Sequence, residues 1–292
     1  MTIGVLVTNY DSWALAMECI TANIRLCGSN LTQIVLVDDC SSVPMPKMGD
    51  LPVELIRNQS NLGFAKSLNI GIAQLNTDII VIFDADARPL HDYTDRTLRE
   101  FTQDTSLALL GFRTVDEEEK PTTSYDTEPG AASLILGQAL HLRLKSWVER
   151  KETRICITTY AMAIRKAALK DIIGFDEQLD WLDVDLDFSM NINRSQWKLK
   201  VASELVAFHK GGGTPMLTAN RVLKFYQNRW YLLRKYSKVR HPRIAKGIIL
   251  ARLYLEYLLL ALAGKFLTKS AASRVDKLAG RRRIITYCKN HY

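Results

Sequence analysis

DIIVIFDAD, residues 78–86, is the stretch that decides the fold. After Asp78 five apolar residues follow without a polar break, so a strand over 78–83 has no solvent face. Strands of that kind occur where helices cover both sides of a parallel sheet. Two carboxylates, Asp84 and Asp86, stand immediately beyond it. Outward toward the N-terminus, Ile3–Thr8, Ile34–Val37 and Val53–Ile56 are further short apolar runs, and Ala14–Leu26 and Gly63–Leu75 have helical spacing. The alternation predicts an α/β fold, a Rossmann-like, mostly parallel sheet flanked by helices. Ligands of such sheets gather at the carboxyl ends of the strands. Three polar clusters stand there, Thr8-Asn9-Tyr10, Asp38-Asp39-Cys40-Ser41-Ser42 and Asp84-Ala85-Asp86, and they are expected on one rim.

Toward the C-terminus, Asp116–Gly130 is rich in acids, with two prolines and a glycine, and reads as a loop. Leu134–Glu149 reads as a helix, Ile155–Ile164 as a strand, Lys166–Ile173 as a helix, and everything from Leu217 onward as helical and basic. The chain has 292 residues, 47% of them hydrophobic and 24% charged, which excludes a disordered tail and a disulfide-stapled miniprotein. Five cysteines without a CxxC pair suggest neither a disulfide framework nor a zinc site. The N-terminus lacks the pattern of a secretory signal, so a cytoplasmic location is expected.

Charge is divided unevenly. Residues 221–292 hold 18 Lys and Arg against 2 Asp and Glu, a net of +16, whereas residues 1–220 hold 21 against 29, a net of −8. An acidic body is thus joined to a basic tail, which could meet nucleic acid or an anionic membrane. Ile248–Gly264 is apolar apart from Arg252 and Glu256, too short and too charged for a free-standing span. It reads as a helix lying on a membrane surface or packed on the body. Arg274, Lys277 and Arg281–Arg283 are the expected partners of acidic headgroups.

Asp84-x-Asp86 offers two hard oxygen ligands at a strand mouth, suited to a divalent cation bridging to phosphate. A DxD alone is short and arises often by chance. Residues 58–71 open a helix with small and polar residues: Ser60 or Asn61 could cap it, and Gly63 permits close approach. Six acids between Asp176 and Asp187, interleaved with Trp181, are costly to bury, and one of them could act as a general base.

In this order the pieces resemble the family 2 glycosyltransferases of GT-A fold, in particular bacterial rhamnosyltransferase-like members that build surface polysaccharides. The resemblance rests on VTNY (7–10), VDDCSS (37–42), NLGFAKSLNIGI (61–72), FDADARPL (83–90), IGFDEQLDWLDVDLDFSMNINRSQWKL (173–199) and HKGGGT (209–214). It implies that Thr8, Asn9 and Tyr10 line a nucleotide pocket, that Asp38 or Asp39 reads the base, and that Asn61, Gly63 and Asn69 belong to the nucleotide-sugar loop. It makes Asp86 a direct metal ligand, Asp84 a neighbour of metal and sugar, His209 a third ligand and Asp185 the catalytic base. Relatives carry Glu before that base where this chain has Val184, so Asp183 or Asp187 is expected to orient the acceptor, with Trp181 and Tyr160 beside it.

The implied activity is a metal-dependent (Mn2+ or Mg2+), inverting transfer of a sugar, rhamnose by resemblance, from a dTDP- or UDP-sugar. The acceptor is a hydroxyl of a saccharide or polyprenyl-pyrophosphate-linked glycan at the inner face of the cell membrane. Gln227-Asn-Arg229-Trp230 is one residue short of the QxxRW of processive synthases, which argues for a non-processive enzyme. The expected division is a GT-A domain over 1–216 and a basic helical region over 217–292. Three rivals stand beside this reading. A nucleotidyltransferase lacks its Gly-rich phosphate loop here. Nucleic-acid binding is not expected, because the acidic rim would repel phosphate. An inactive donor-binding scaffold is motivated by Val184.

Overall fold

The computed structural model describes all residues except 29, 138–139, 142, 145–153, 212–217 and 268–270. The chain forms two compact units, Met1–Glu128 with Arg154–Thr214, and Pro129–Thr153 with Pro215–Tyr292. The division expected at 216/217 falls outside the described residues, and the second unit also takes in residues 129–153.

The first unit is a mixed α/β structure around one large, mainly parallel sheet. β1 (Ile3–Asn9) lies between β2 (Leu31–Asp38) and β4 (Ile79–Asp84), parallel to both, and β3 (Glu54–Arg57) extends the sheet beyond β2. On the other side β9 (Ala161–Arg165) is antiparallel between β4 and β6 (Leu107–Val115); β10 (Lys198–His209) follows, parallel to β6, and β5 (Ala87–Pro89) closes the edge. Both faces are covered, as the DIIVIF run requires. Ile3, Val5, Val7, Val81 and Phe83 pack with Trp13, Ala16 and Ile20 of α1 (Trp13–Leu26). The opposite face meets α2 (Phe64–Gln74), where a Cβ on Gly71 would lie 2.2 Å from Leu6 Cδ1, so α2 approaches β1 closely through a residue without a side chain. α3 (Thr94–Gln103) precedes β6.

Three sequence expectations change. Ile155–Ile164 is not one strand but two, β8 (Ile155–Ile157) and β9, separated by a turn at Thr159-Tyr160 and belonging to different sheets. β8 pairs with β7 (Tyr125–Thr127), a short strand inside the expected loop 116–130. Lys166–Ile173 contains only a 3-10 turn, Lys166–Lys170. The helix expected over 134–149 begins as α4 (Ala132–Ile135), and residues 145–149 lie outside the described residues. α5 (Val184–Ile192) carries the second acidic cluster.

The second unit contains α6 (Thr218–Lys235), α7 (Pro242–Leu267) and α8 (Ala271–His291). Tyr226, Trp230, Leu233, Ile249, Leu253 and Ile284 form its core, with Leu134 from α4. Arg252 donates to Tyr226 Oη, to the Leu134 carbonyl and to Glu256, whose carboxylate also takes Arg281 Nε at 2.6 Å. Two of the cations expected to meet headgroups are therefore partly covered within the fold, Arg281 in that cluster and Arg274 on the Leu260 and Ala261 carbonyls, whereas Arg282 and Arg283 bond Tyr257 Oη and Asn220 Oδ1 and stay exposed. Among the described residues no helix is long and apolar enough to cross a membrane.

Candidate active site

Strand register builds the site. Thr8 pairs with Asp84 across β1 and β4, and Asn9 with Asp38 across β1 and β2, so the three polar clusters do share one rim. Beyond Asp84 the chain turns through Asp86 into β5, whose Ala87 lies opposite His209, the last residue of β10. The Lys210 amide donates to the Asp86 carbonyl at 3.0 Å and fixes that turn. Ligand atoms of Asp84, Asp86 and His209 thereby fall within 4.8 Å of one another, with His209 Nε2 3.5 Å from Asp86 Oδ1.

The turn between β8 and β9 adds Tyr160. Its carbonyl accepts the Asp84 amide at 3.2 Å, and its ring stacks on His209 at 3.8 Å with 18° between planes. Tyr160 thus touches both arms of the cluster.

The donor set suits a hard divalent cation. Asp84 Oδ1 is buried and accepts no hydrogen bond, an arrangement that is costly unless another group satisfies it. Burial, with Asp86 and Asp185 adding negative charge, pushes the Asp84 carboxyl up to about 7, against the opposing pull of His209 and a hydrogen bond from Thr159. Two carboxylates and an imidazole fit Mn2+ or Mg2+, which would supply the missing positive charge. Asp185 lies in the first turn of α5 and is close enough to raise Asp84, which ties it to the same site.

The remaining expected residues divide by what their side chains already hold. Asp38 is fully buried; it accepts from Asn9 Nδ2 and Ser41 Oγ on Oδ1, and from the Ser41 amide and Arg57 on Oδ2. Its carboxylate is thus held inside the protein, at the strand end opposite Asn9. Asp39 accepts from Asn58 Nδ2 and the Leu62 amide on Oδ1 and from the Gly63 amide on Oδ2. Asn9 is buried and ties Asp38 and Ser41 to the Ser12 amide. Thr8 is buried and Tyr10 exposed.

Neither Ser60 nor Asn61 caps α2. Gly63 is its N-cap, at φ +91°, and the Phe64 and Ala65 amides donate to the Asp180 carbonyl at 2.6 and 3.3 Å. A Cβ on Gly63 would stand 3.3 Å from that carbonyl, so glycine is needed for the backbone angle and for the approach. The first turn of α2 thus donates to the Asp180 carbonyl, and the two amides just before it donate to Asp39. Asn69 faces residue 175: it donates to the Phe175 carbonyl at 2.8 Å and accepts from the Phe175 amide at 3.0 Å. Asn61 is exposed.

Near α5, Asp183 and Asp187 are buried, Asp183 in a left-handed conformation at φ +63° as N-cap. Both are thus covered, whereas Asp185, Trp181 and Tyr160 keep partial exposure. Val184 is fully buried, so an apolar residue matches the place it occupies. Of the HKGGGT stretch, residues 212–214 lie outside the described residues. Sequence reasoning missed Asp11, whose carboxylate accepts the Ser42 and Val43 amides at 2.6 and 2.9 Å, and Asn58, which bridges Asp39 and Ser67.

Several known proteins are similar in sequence or in fold. Over 161 residues the chain is 29% identical to a pre-mycofactocin glycosyltransferase of Mycobacterium tuberculosis (strain CDC 1551 / Oshkosh), covering 53% of this chain and 33% of that protein. An uncharacterized glycosyltransferase of Haemophilus influenzae is 24% identical over 129 residues, 44% of each chain. The chain thus spans less than half the length of these curated relatives. Among solved structures, S. aureus TarS 1-349 in complex with UDP superposes with a TM-score of 0.53 at 16% identity, covering 100% of this chain and 93% of that one. The mannosyltransferase PcManGT from Pyrobaculum calidifontis, in complex with GDP-Man and Mn2+, gives 0.57 at 14% identity, covering 98% and 86%. At such identities the likeness shows the fold alone, and that fold is GT-A. The model of glycosyl transferase family 2 matches residues 4–173, which include Asp84 and Asp86 and stop before Asp185 and His209. Over half of its length, then, the chain carries the pattern of that family, and it belongs to the family 2 glycosyltransferases.

Proposed function

We propose that the protein is a metal-dependent, inverting, non-processive glycosyltransferase, moving a sugar from a nucleoside-diphosphate donor to a hydroxyl of a saccharide or lipid-linked acceptor. The observation that carries this is the cluster of Asp84, Asp86 and His209 around an inaccessible, unsatisfied carboxylate oxygen, with Asp185 in electrostatic reach. A divalent cation there would counter the charge that builds on a leaving diphosphate. Asp84, Asp86 and His209 would hold it, and the Tyr160 ring stacks on His209 and orients its imidazole. Asp185 takes the proton of the acceptor hydroxyl on its carboxylate, and the hydroxyl oxygen attacks the anomeric carbon from the face opposite the nucleotide. The anomeric configuration inverts.

Tyr10 offers an exposed ring at the rim for the donor, with Thr8 two residues before it and Asn61, also exposed, from the loop ahead of α2. Asp39 keeps acceptor capacity on Oδ2 beyond the Gly63 amide, which makes it the base-reading candidate of its pair. Asn69 acts at a distance, through the backbone of Phe175. Rhamnose and surface polysaccharide synthesis rest on the family resemblance, and the PcManGT and TarS complexes leave GDP- and UDP-sugars in play beside dTDP-sugars. The basic tail supports an acceptor at the inner face of the cell membrane.

The test is a thermal-shift panel of UDP, dTDP and GDP with and without Mn2+, on the wild type and on Asp86→Ala. A ligand bound only by the folded state raises the melting temperature with the logarithm of its concentration over Kd. One nucleotide stabilising the wild type only with metal, and the variant not at all, supports the reading and names the donor class. Stabilisation independent of metal would sink it.

A further inference from the structure

α7 has two unlike faces. Ala245, Ile249 and Leu253 lie in the core of the second unit. On the other side Ile244, Ile248, Leu255, Leu258, Leu259 and Leu262 are between 46% and 81% exposed. At 100° per residue all six fall within an arc of about 100°, and from first to last they extend about 27 Å along the helix. A continuous aliphatic stripe of that length is not what a solvated surface carries.

Positive charge borders the stripe on one flank. Tyr254 lies on that flank, and Lys289 Nζ stands 5.3 Å from its ring centroid. One turn further, Arg282 donates to Tyr257 Oη at 2.9 Å and covers its ring at 5.4 Å. Arg243, exposed at the start of α7, projects to the same side. The two acids of residues 221–292 do little to offset this, since Glu256 is neutralised by Arg252 and Arg281 inside the unit and only Asp276 is left.

We propose that the outward face of α7 is an interfacial anchor that lies in the plane of an anionic bilayer. The six aliphatic side chains enter the acyl boundary, and Arg282, Lys289 and Arg243 meet lipid phosphates. Charge complementarity selects this occupant: a second copy of the face would bring its own basic flank against the first. The proposal deepens the membrane placement given above and stands on residues remote in sequence from the donor site.

Flotation of the full chain with phosphatidylcholine vesicles, with and without about a third phosphatidylglycerol, tests it. The wild type is expected to float with the anionic vesicles and to stay behind with the neutral ones. The exposed triple change Leu255→Glu, Leu258→Glu and Leu262→Glu is expected to lower partitioning at least about tenfold, and so is Arg282→Glu with Lys289→Glu. Unchanged melting curves for both variants would show that they fold. The metal-dependent nucleotide shift, measured on the same samples, reports the catalytic reading separately and is expected to survive in both. The proposal is overturned if the wild type ignores anionic vesicles, or if the triple variant floats as well as the wild type. It is equally overturned if light scattering finds a wild-type dimer that the triple change dissolves without any vesicle binding.

Discussion

Two aspartate pairs stand at the ends of β2 and β4, the strands on either side of β1, and they live in opposite surroundings. Asp38 and Asp39 are ringed by donors: the amides of Ser41, Leu62 and Gly63, the side chains of Asn9, Ser41 and Asn58, and the Arg57 guanidinium. Asp84 and Asp86 stand among further acid, with Asp185 adding to the field and Asp84 Oδ1 unsatisfied. The first pair fastens the β2 end to the start of α2 and contributes stability. The second holds negative charge that only a cation would settle, so it costs stability in the metal-free protein. Residue type and place at a strand end are shared; the supply of donors is what differs.

The largest effect should come from the acidic pair. Asp86→Ala is expected to lower Mn2+-dependent sugar transfer at least about a thousandfold, while the melting temperature of the metal-free protein stays level or rises because a like charge beside Asp84 is gone. Asp185→Asn should cost about a hundred- to ten-thousandfold in kcat and leave metal-dependent nucleotide binding intact. Transfer assays with isothermal titration of Mn2+ separate the two. If Asp185→Asn also abolished metal binding, Asp185 would be a ligand and not the base.

Next in size is the satisfied pair. Asp39→Ala strands the Leu62 and Gly63 amides and Asn58 in a buried place, and about 3 kcal/mol of unfolding free energy should be lost in urea titrations. Unimpaired stability would show that these hydrogen bonds do not fasten β2 to the start of α2, and would break the comparison.

Smaller is the pH response of the metal-free protein. The Asp84 carboxyl sits near 7 in the fold and near its ordinary 3.8 in the unfolded chain. Between these values the folded state holds the extra proton, so stability is full below 3.8 and is lost as pH rises through 7. With chelator present, the wild type should melt about 5 °C lower at pH 8 than at pH 5, relative to the same difference in Asp84→Asn. Equal pH slopes for the two proteins would mean that Asp84 ionises like a surface carboxylate.

Much of this was legible from the residues. The DIIVIF run, the parallel order around it and the shared rim follow from periodicity, because a strand buried on both faces has an unmistakable composition. β10 was not legible: KLKVASELVAFH has exposed charge through its first half, and an irregularity between Ala202 and Val206 breaks the alternation. His209 was therefore reachable only through family resemblance. The opposite surroundings of the two aspartate pairs were also invisible. Asp39 depends on amides 23 and 24 residues away, and Asn69 on Phe175 across 106 residues, separations that no local pattern records. The burial of Asp183 and Asp187 was invisible for a related reason. Spacing places acids on a helix but does not say which of its faces is covered.

Tyr160 gives the finest test of the comparison, since it sharpens the acidic pair without adding charge. It holds the Asp84 amide through its backbone and His209 through its ring. Only the second contact depends on the side chain, so substitution should act on His209 and spare the aspartates. Tyr160→Phe retains the stacking surface and should leave Mn2+ affinity unchanged, whereas Tyr160→Ala frees the imidazole and should weaken it about tenfold, the size of effect seen when a ligand loses its supporting partner. Manganese titration followed by electron paramagnetic resonance reads this directly, without turnover. Were Tyr160→Phe as damaging as Tyr160→Ala, the phenol oxygen would be the working group, and Tyr160 would belong with the acceptor instead of the metal.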